Sequence, residues 1–235
     1  MSNFIKTKEE IEKDNWEVYN RPFWSKNTYD HKARWLNFHT QINAIAKMIR
    51  REGGLPFEVL EVGTTQSKLI QNYLKQFGVT VKTLDLKDQY NPDFLCSIVK
   101  TTCLDNSFDA VIACEILEHT TWEEFKQSLY EIHRITRKYA FITLPDVGHT
   151  LISLYIKIPF LKPLTIFKKI PNREPMPKRK PGAHQWEINR PETSPQKVRK
   201  EMEQAGFKVL EQFVNQDAPK NHCFLLLKEE SKLCG

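Results

Sequence analysis

The stretch Asp105-Asn106-Ser107-Phe108-Asp109-Ala110-Val111-Ile112-Ala113-Cys114-Glu115-Ile116-Leu117-Glu118-His119 decides how the rest of this chain is read. Its first three residues are turn formers, with short polar side chains that bond their own backbone. Residues 108–114 follow as a nearly unbroken apolar run, which suits a strand buried on both faces of a parallel sheet. Glu115, Glu118 and His119 then cluster where that strand should end.

Toward the N-terminus, residues 57–62 form a second β-rich run, followed by Gly63, Thr64, Thr65 and Gln66. Residues 67–77 have helical spacing up to Gly78, and residues 79–86 read as another strand. Trp35, Phe38, Ile42, Ile45 and Ile49 recur at steps of three and four, so an amphipathic helix is predicted over 31–51. Residues 15–35 are rich in aromatics. Toward the C-terminus, residues 94–99 make a weaker strand. Residues 122–136 make a helix with Phe125, Leu129, Ile132 and Ile135 on one face, and 139–144 a strand. A helix at 194–205 precedes two closing strands, 209–214 and 222–227.

Strands alternating with helices predict an α/β fold, a Rossmann-like seven-stranded sheet that is mostly parallel. Its C-terminal strand is expected to be antiparallel, and helices cover both faces. The predicted divisions are an N-terminal helical segment (1–52), a ligand-binding core (53–150), a basic lid or insertion (151–190) and a C-terminal helix and strand pair (191–235). In such sheets ligands sit beyond the carboxyl ends of the strands, near the point where strand order reverses.

With 40% hydrophobic and 27% charged residues, the composition is that of a globular protein. Residues 151–170 are lipophilic, but Pro159, Pro163 and four lysines exclude a spanning helix. Residues 1–13 are polar, so no secretory signal is expected. Five cysteines are scattered without a CxxC pair, which argues for reduced thiols and a cytoplasmic location. The net charge of +6 is local: residues 151–190 hold nine Lys/Arg against Glu174 and Glu187.

The run 105–119 resembles the DNSFDVVxxxEVLEH signature of class I S-adenosylmethionine-dependent methyltransferases, of the methyltransferase type 11 kind. "VLEVG" at 59–63, "TLDL" at 83–86 and "LYEIHRITRKYAFITLP" at 129–145 are similar to that family in the same order. "GAHQWEIN" at 182–189 and "NHCFLLL" at 221–227 are similar to a prokaryotic subgroup of largely unassigned substrate. The resemblance implies S-adenosyl-L-methionine as cofactor, with Glu61 and Gly63 flanking its methionine moiety and Thr64 and Thr65 in the adjoining loop. It implies Asp85 on the ribose with Leu86 beside it, Ser97 and Ile98 near the adenine, and Cys114 and Glu115 closing the site. Two departures stand out. The family usually has two or three glycines where Thr64, Thr65 and Gln66 follow Gly63, and often an Asp at the place of Ser97. Loss of that one hydrogen bond costs about 0.5–1.5 kcal/mol, so reshaped or weakened binding is expected.

The catalytic candidates are His119, Glu115 and His184, with His119 as a general base. If Glu115 opens a helix, then Glu115, Glu118 and His119 share one face. With another histidine they would suit a divalent metal, as in small-RNA and ubiquinone-pathway O-methyltransferases that carry a similar Glu-x-x-Glu-His. Most EVLEH proteins bind none, and no metal is expected. His184, Trp186 and Glu187 either meet the acceptor, or Trp186 anchors the insertion.

The predicted function is methylation of an oxygen or nitrogen on a small or lipid-linked metabolite, a saccharide among the candidates. The alternatives are a metal-dependent RNA methyltransferase and a non-catalytic binding module on a degenerate scaffold. Segment 151–190 is read as a solvated lid, or as a peripheral contact with an anionic membrane or with RNA.

Overall fold

The computed structural model describes residues 32–229 apart from Gln66, Arg179 and Pro181. The aromatic stretch before Trp35, His31, the middle of "PKRK" and Cys234 therefore lie outside the described residues.

Helix α1 (Lys32–Arg51) leads into β1 (Glu58–Val62), α2 (Leu69–Lys75), β2 (Thr80–Asp85), the short β3 (Phe94–Leu95) and β4 (Phe108–Cys114). Helix α3 (Trp122–Ile135) runs directly into β5 (Thr136–Pro145). Then come β6 (His149–Ile156), β7 (Leu164–Ile170), α4 (Pro195–Gln204), β8 (Phe207–Val214) and β9 (Asn221–Lys228).

Seven strands form one sheet in the order β3-β2-β1-β4-β5-β9-β8. β1 pairs in parallel with both β2 and β4, and β4 with β5. β9 is antiparallel to both β5 and β8. The antiparallel C-terminal strand is thus present, but inside the sheet and not at its edge. β8 is the edge, and its register slips between Val209 and Glu211.

Alternation along the strands sorts side chains into two apolar layers. Val111 and Ala113, with Leu60, Ile142 and Leu226, pack against Phe125, Leu129 and Ile132 of α3 and Val198 and Met202 of α4. Ala110 and Ile112, with Val59, Phe141 and Leu225, pack against Ile45 and Met48 of α1 and Ile70 and Leu74 of α2. Each large side chain so enclosed contributes about 1.5–3 kcal/mol. Thr121 starts α3 with a reciprocal cap: its hydroxyl accepts from the Glu124 N–H, and Glu124 accepts from the Thr121 N–H.

Three expectations change. The helix expected over 67–77 is shorter, because Lys68 takes a left-handed backbone (φ 45°) and helical geometry begins only at Leu69. Across the start of the segment read as a basic lid or insertion, for which no strand is predicted, residues 149–170 form a separate antiparallel hairpin of β6 and β7. Glu115 does not open a helix. It sits at φ 56°, and Leu117–His119 make a single 3-10 turn before α3, so the i, i+3, i+4 argument fails.

Candidate functional site

Strand order reverses between β1 and β4, and the residues singled out above gather at the carboxyl ends of β1, β2, β4 and β5. Gly63 ends β1 with φ 79°, a conformation glycine adopts at little cost, and its N–H donates to the Leu84 carbonyl at 2.8 Å. Thr64 is buried, and the Thr65 hydroxyl lies 3.0 Å from that of Ser67.

Glu61 is buried, and its Oε2 meets no hydrogen-bond donor. Burial pushes its carboxyl up to about 7, against the opposing pull of Lys68 and Arg34. Asp85 closes β2 and is likewise raised by burial, opposed by the backbone N–H and charge of Lys87. The Lys87 bond is 2.8 Å. Leu86 beside Asp85 is exposed.

Ile98 is buried in the layer beneath α3, and the Ser97 hydroxyl accepts from the Val99 N–H at 3.2 Å, within its own loop. Cys114 packs into the opposite layer, and burial pushes its thiol up.

Glu115 Oε1 accepts from the Thr143 hydroxyl at 3.0 Å, and burial raises its carboxyl to about 7. Glu118 is fully buried and raised well above the usual carboxylate range by burial and by Glu115. His119 Nε2 lies 3.8 Å from Glu118 Oε1, and burial, then the neighbouring His184, lower its basicity.

His184 arrives from a chain segment 66 residues away and places its Nε2 3.7 Å from the same oxygen. The main chain holds it there, since the Gln185 N–H donates to the Glu118 carbonyl at 2.7 Å. Trp186 is buried against Trp122 and Phe125, which makes it the anchor of this segment.

Sequence reasoning missed Thr143, which orients Glu115, and Arg34, whose charge acts on Glu61 and Glu115. It also missed Ile116, whose side chain lies over Gly63. No local pattern marks them, because each is brought in by strand register or by α1. The hairpin is tied to the same rim. Lys169 Nζ of β7 donates to Asp146 Oδ1 at 2.6 Å, with both side chains buried. His222 and Asn189 hydrogen-bond to the same carboxylate. Burial opposes its ionisation, but these partners hold Asp146 below the usual carboxylate range.

Residues 60–144 match the methyltransferase domain family. That segment of the chain is similar to a methyltransferase domain, and the sheet built around it has the class I methyltransferase fold. The magnesium protoporphyrin IX methyltransferase of Synechocystis, with bound S-adenosylmethionine, superposes at a TM-score of 0.58 and 10% identity over 97% of this chain and 100% of that one. The 1,6-didemethyltoxoflavin N1-methyltransferase of Burkholderia thailandensis, with its substrate and S-adenosylhomocysteine bound, gives 0.55 and 12% over 98% and 94%. An N-methyltransferase of Bradyrhizobium japonicum in complex with S-adenosylhomocysteine gives 0.57 and 10% over 93% and 98%. At these identities the likeness establishes the fold. No curated protein sequence matches the chain.

The chemistry of the cleft is compatible with S-adenosylmethionine, the cofactor bound in the Synechocystis structure. The buried, unpartnered oxygen of Glu61 has the chemistry to accept from an ammonium, and the Asp85 carboxylate that to accept from vicinal hydroxyls. Among the described residues no helix is long and apolar enough to cross a membrane.

Proposed function

We propose that this methyltransferase modifies an oxygen or nitrogen of a small or lipid-linked metabolite, a saccharide among the candidates, in the cytoplasm. The observation that carries the lipid-linked reading is the β6–β7 hairpin. It leaves the rim just past β5 and Asp146, starting at His149, and every residue of β6 is exposed. Its turn presents Ile158, Phe160 and Leu161 to solvent, with Phe160 fully exposed, between the exposed Lys157 and Lys162. Apolar surface of this extent needs a cover, and lysines flanking an apolar tip suit the boundary of an anionic lipid layer. A hairpin seated there delivers the rim of the cleft to a lipid-borne acceptor.

When bound, S-adenosylmethionine supplies a methyl group on a sulfonium sulfur that an acceptor atom displaces. The chain's own part is to hold and align. Glu61 and Gly63 receive the methionine end, Asp85 the ribose, and Ser97 and Ile98 border the adenine. Glu115, His119 and His184 line the acceptor side. Glu115, near 7 and hydrogen-bonded by Thr143, is placed to take the proton the acceptor gives up.

The reading is tested by incubating the protein with methyl-tritiated S-adenosylmethionine and, separately, a lipid extract, a water-soluble metabolite extract and RNA. Label in the lipid or small-molecule fraction is expected. Label confined to RNA, or no turnover with any fraction, overturns it. Flotation with anionic and neutral vesicles tests the hairpin, with Phe160→Asp expected to abolish co-flotation.

A further inference from the structure

Glu118 carries two carboxylate oxygens that are buried and meet no hydrogen-bond donor. Desolvating such a group without a partner is costly, so the surroundings of Oε1 carry information. The Nε2 atoms of His119 and His184 face it at 3.8 and 3.7 Å, beyond hydrogen-bond reach. The other nitrogen of each ring is committed. His119 Nδ1 is 2.9 Å from the Gly182 carbonyl oxygen, and His184 Nδ1 is 3.0 Å from Glu187 Oε1. A carbonyl and a carboxylate only accept, so this network assigns the ring proton to Nδ1 in both residues. Each Nε2 then turns a lone pair toward Glu118. Three atoms that can all donate electron pairs converge within 4.8 Å of one another.

We propose that Glu118 Oε1, His119 Nε2 and His184 Nε2 bind a divalent transition cation of the zinc type. Two imidazoles and one carboxylate suit zinc, iron(II), cobalt or manganese better than magnesium, which prefers oxygen ligands and water. The two Glu118–histidine separations exceed by only a few tenths of an ångström the ligand spacing around a tetrahedral ion with bonds of about 2.0–2.2 Å.

The supporting shell is present. Glu187 orients the His184 ring and is itself held by Arg190 at 2.8 Å, the carboxylate–histidine arrangement that fixes a metal-binding tautomer. A proton on Glu118 does not substitute for the cation, because among the described residues neither of its oxygens has a hydrogen-bond partner within reach. Glu115, part of the pattern seen in the sequence, is outside this set because Thr143 holds its carboxylate.

Both imidazoles are partly exposed, so a bound ion keeps open positions toward solvent. An acceptor hydroxyl fits such a position, and with the ion in place the imidazoles act as ligands and not as bases. That last point rests on the methyltransferase reading. Binding of the ion does not.

The test is calorimetric titration of the chelator-treated protein with Zn²⁺, with Co²⁺ added separately to record its visible ligand-field bands. One equivalent is expected, with Kd in the micromolar range or tighter. Glu118→Gln and His184→Ala should each weaken binding by about 100-fold or more and remove the Co²⁺ bands. Glu187→Gln should weaken it about 10–100-fold, and His39→Ala, on the exposed face of α1, should leave it unchanged. Retained S-adenosylmethionine binding in His184→Ala shows that the variant is folded. No Zn²⁺ uptake at millimolar concentration, or unaltered uptake in Glu118→Gln and His184→Ala, overturns the site. Zn²⁺ uptake by a protein that fails to bind S-adenosylmethionine would instead sink the methyltransferase reading and leave the metal site standing.

Discussion

A Cβ built on Gly63 would fall 2.0 Å from Cδ1 of Ile116. The residue that ends β1 and the residue that follows Glu115 therefore share one small volume. Gly63→Ala meets both that clash and the left-handed backbone, which alone costs an L-residue about 1–2 kcal/mol. A total loss of about 2–4 kcal/mol is expected, read as a lower urea midpoint at unchanged slope. Adding Ile116→Ala should recover the steric part only. Full recovery, or no effect of Gly63→Ala, would contradict the packing.

Glu61 makes stability depend on pH in an unusual direction. Its folded pKa, about 7, lies above the ordinary 4.5, so the native state without cofactor binds the proton more tightly than the unfolded chain. The contribution is fully present below pH 4.5, declines as pH rises, and is lost above pH 7. It amounts to roughly 3 kcal/mol, and Glu61→Gln should flatten this part of the stability profile. Cofactor affinity should run the opposite way, rising as pH approaches 7, because an ammonium partner requires the carboxylate. Calorimetry at pH 6 and pH 8 checks it, and equal affinities would remove Glu61 from the methionine end.

Asp85 and Ser97 should differ sharply under calorimetry. Asp85→Ala removes a charged acceptor at the end of β2 and should weaken S-adenosylmethionine binding about 10–100-fold. Ser97→Ala should change it by less than about threefold, since that hydroxyl serves the Val99 N–H of its own loop. Equal losses would put the adenine elsewhere.

The Lys169–Asp146 pair is buried on both sides, so removing one member strands the other. Lys169→Met is expected to cost about 3–5 kcal/mol in thermal or urea unfolding. Lys168→Met, exposed one residue earlier, should cost within about 0.5 kcal/mol.

Much of the fold was legible because its strands are apolar runs ended by acids and glycine. The runs 57–62, 79–86 and 108–114, and the Phe125–Ile135 stripe, became β1, β2, β4 and α3. The hairpin was hidden because Pro159, Pro163 and the lysines looked like breakers, although its turn places both prolines between the strands. Glu115 was misjudged because a positive φ at a non-glycine residue leaves no mark in the sequence. His184 could be named as a candidate, but its meeting with Glu118 depends on a backbone bond between distant segments. The interior position of β9 is likewise set by pairing, which hydrophobic periodicity does not encode.

That position bears on how the molecule is made. β9 supplies the middle pairing between β5 and β8, using residues 221–228. On the ribosome, the parallel half of the sheet emerges first and must wait with one flank of β5 open until nearly the whole described chain has been synthesised. During that interval the unpaired edge of β5, lined with Phe141, Ile142 and Leu144, is a hazard for association with other chains. Chaperone demand should therefore peak late in synthesis, and nascent chains arrested before residue 221 should be the form most readily lost to aggregation.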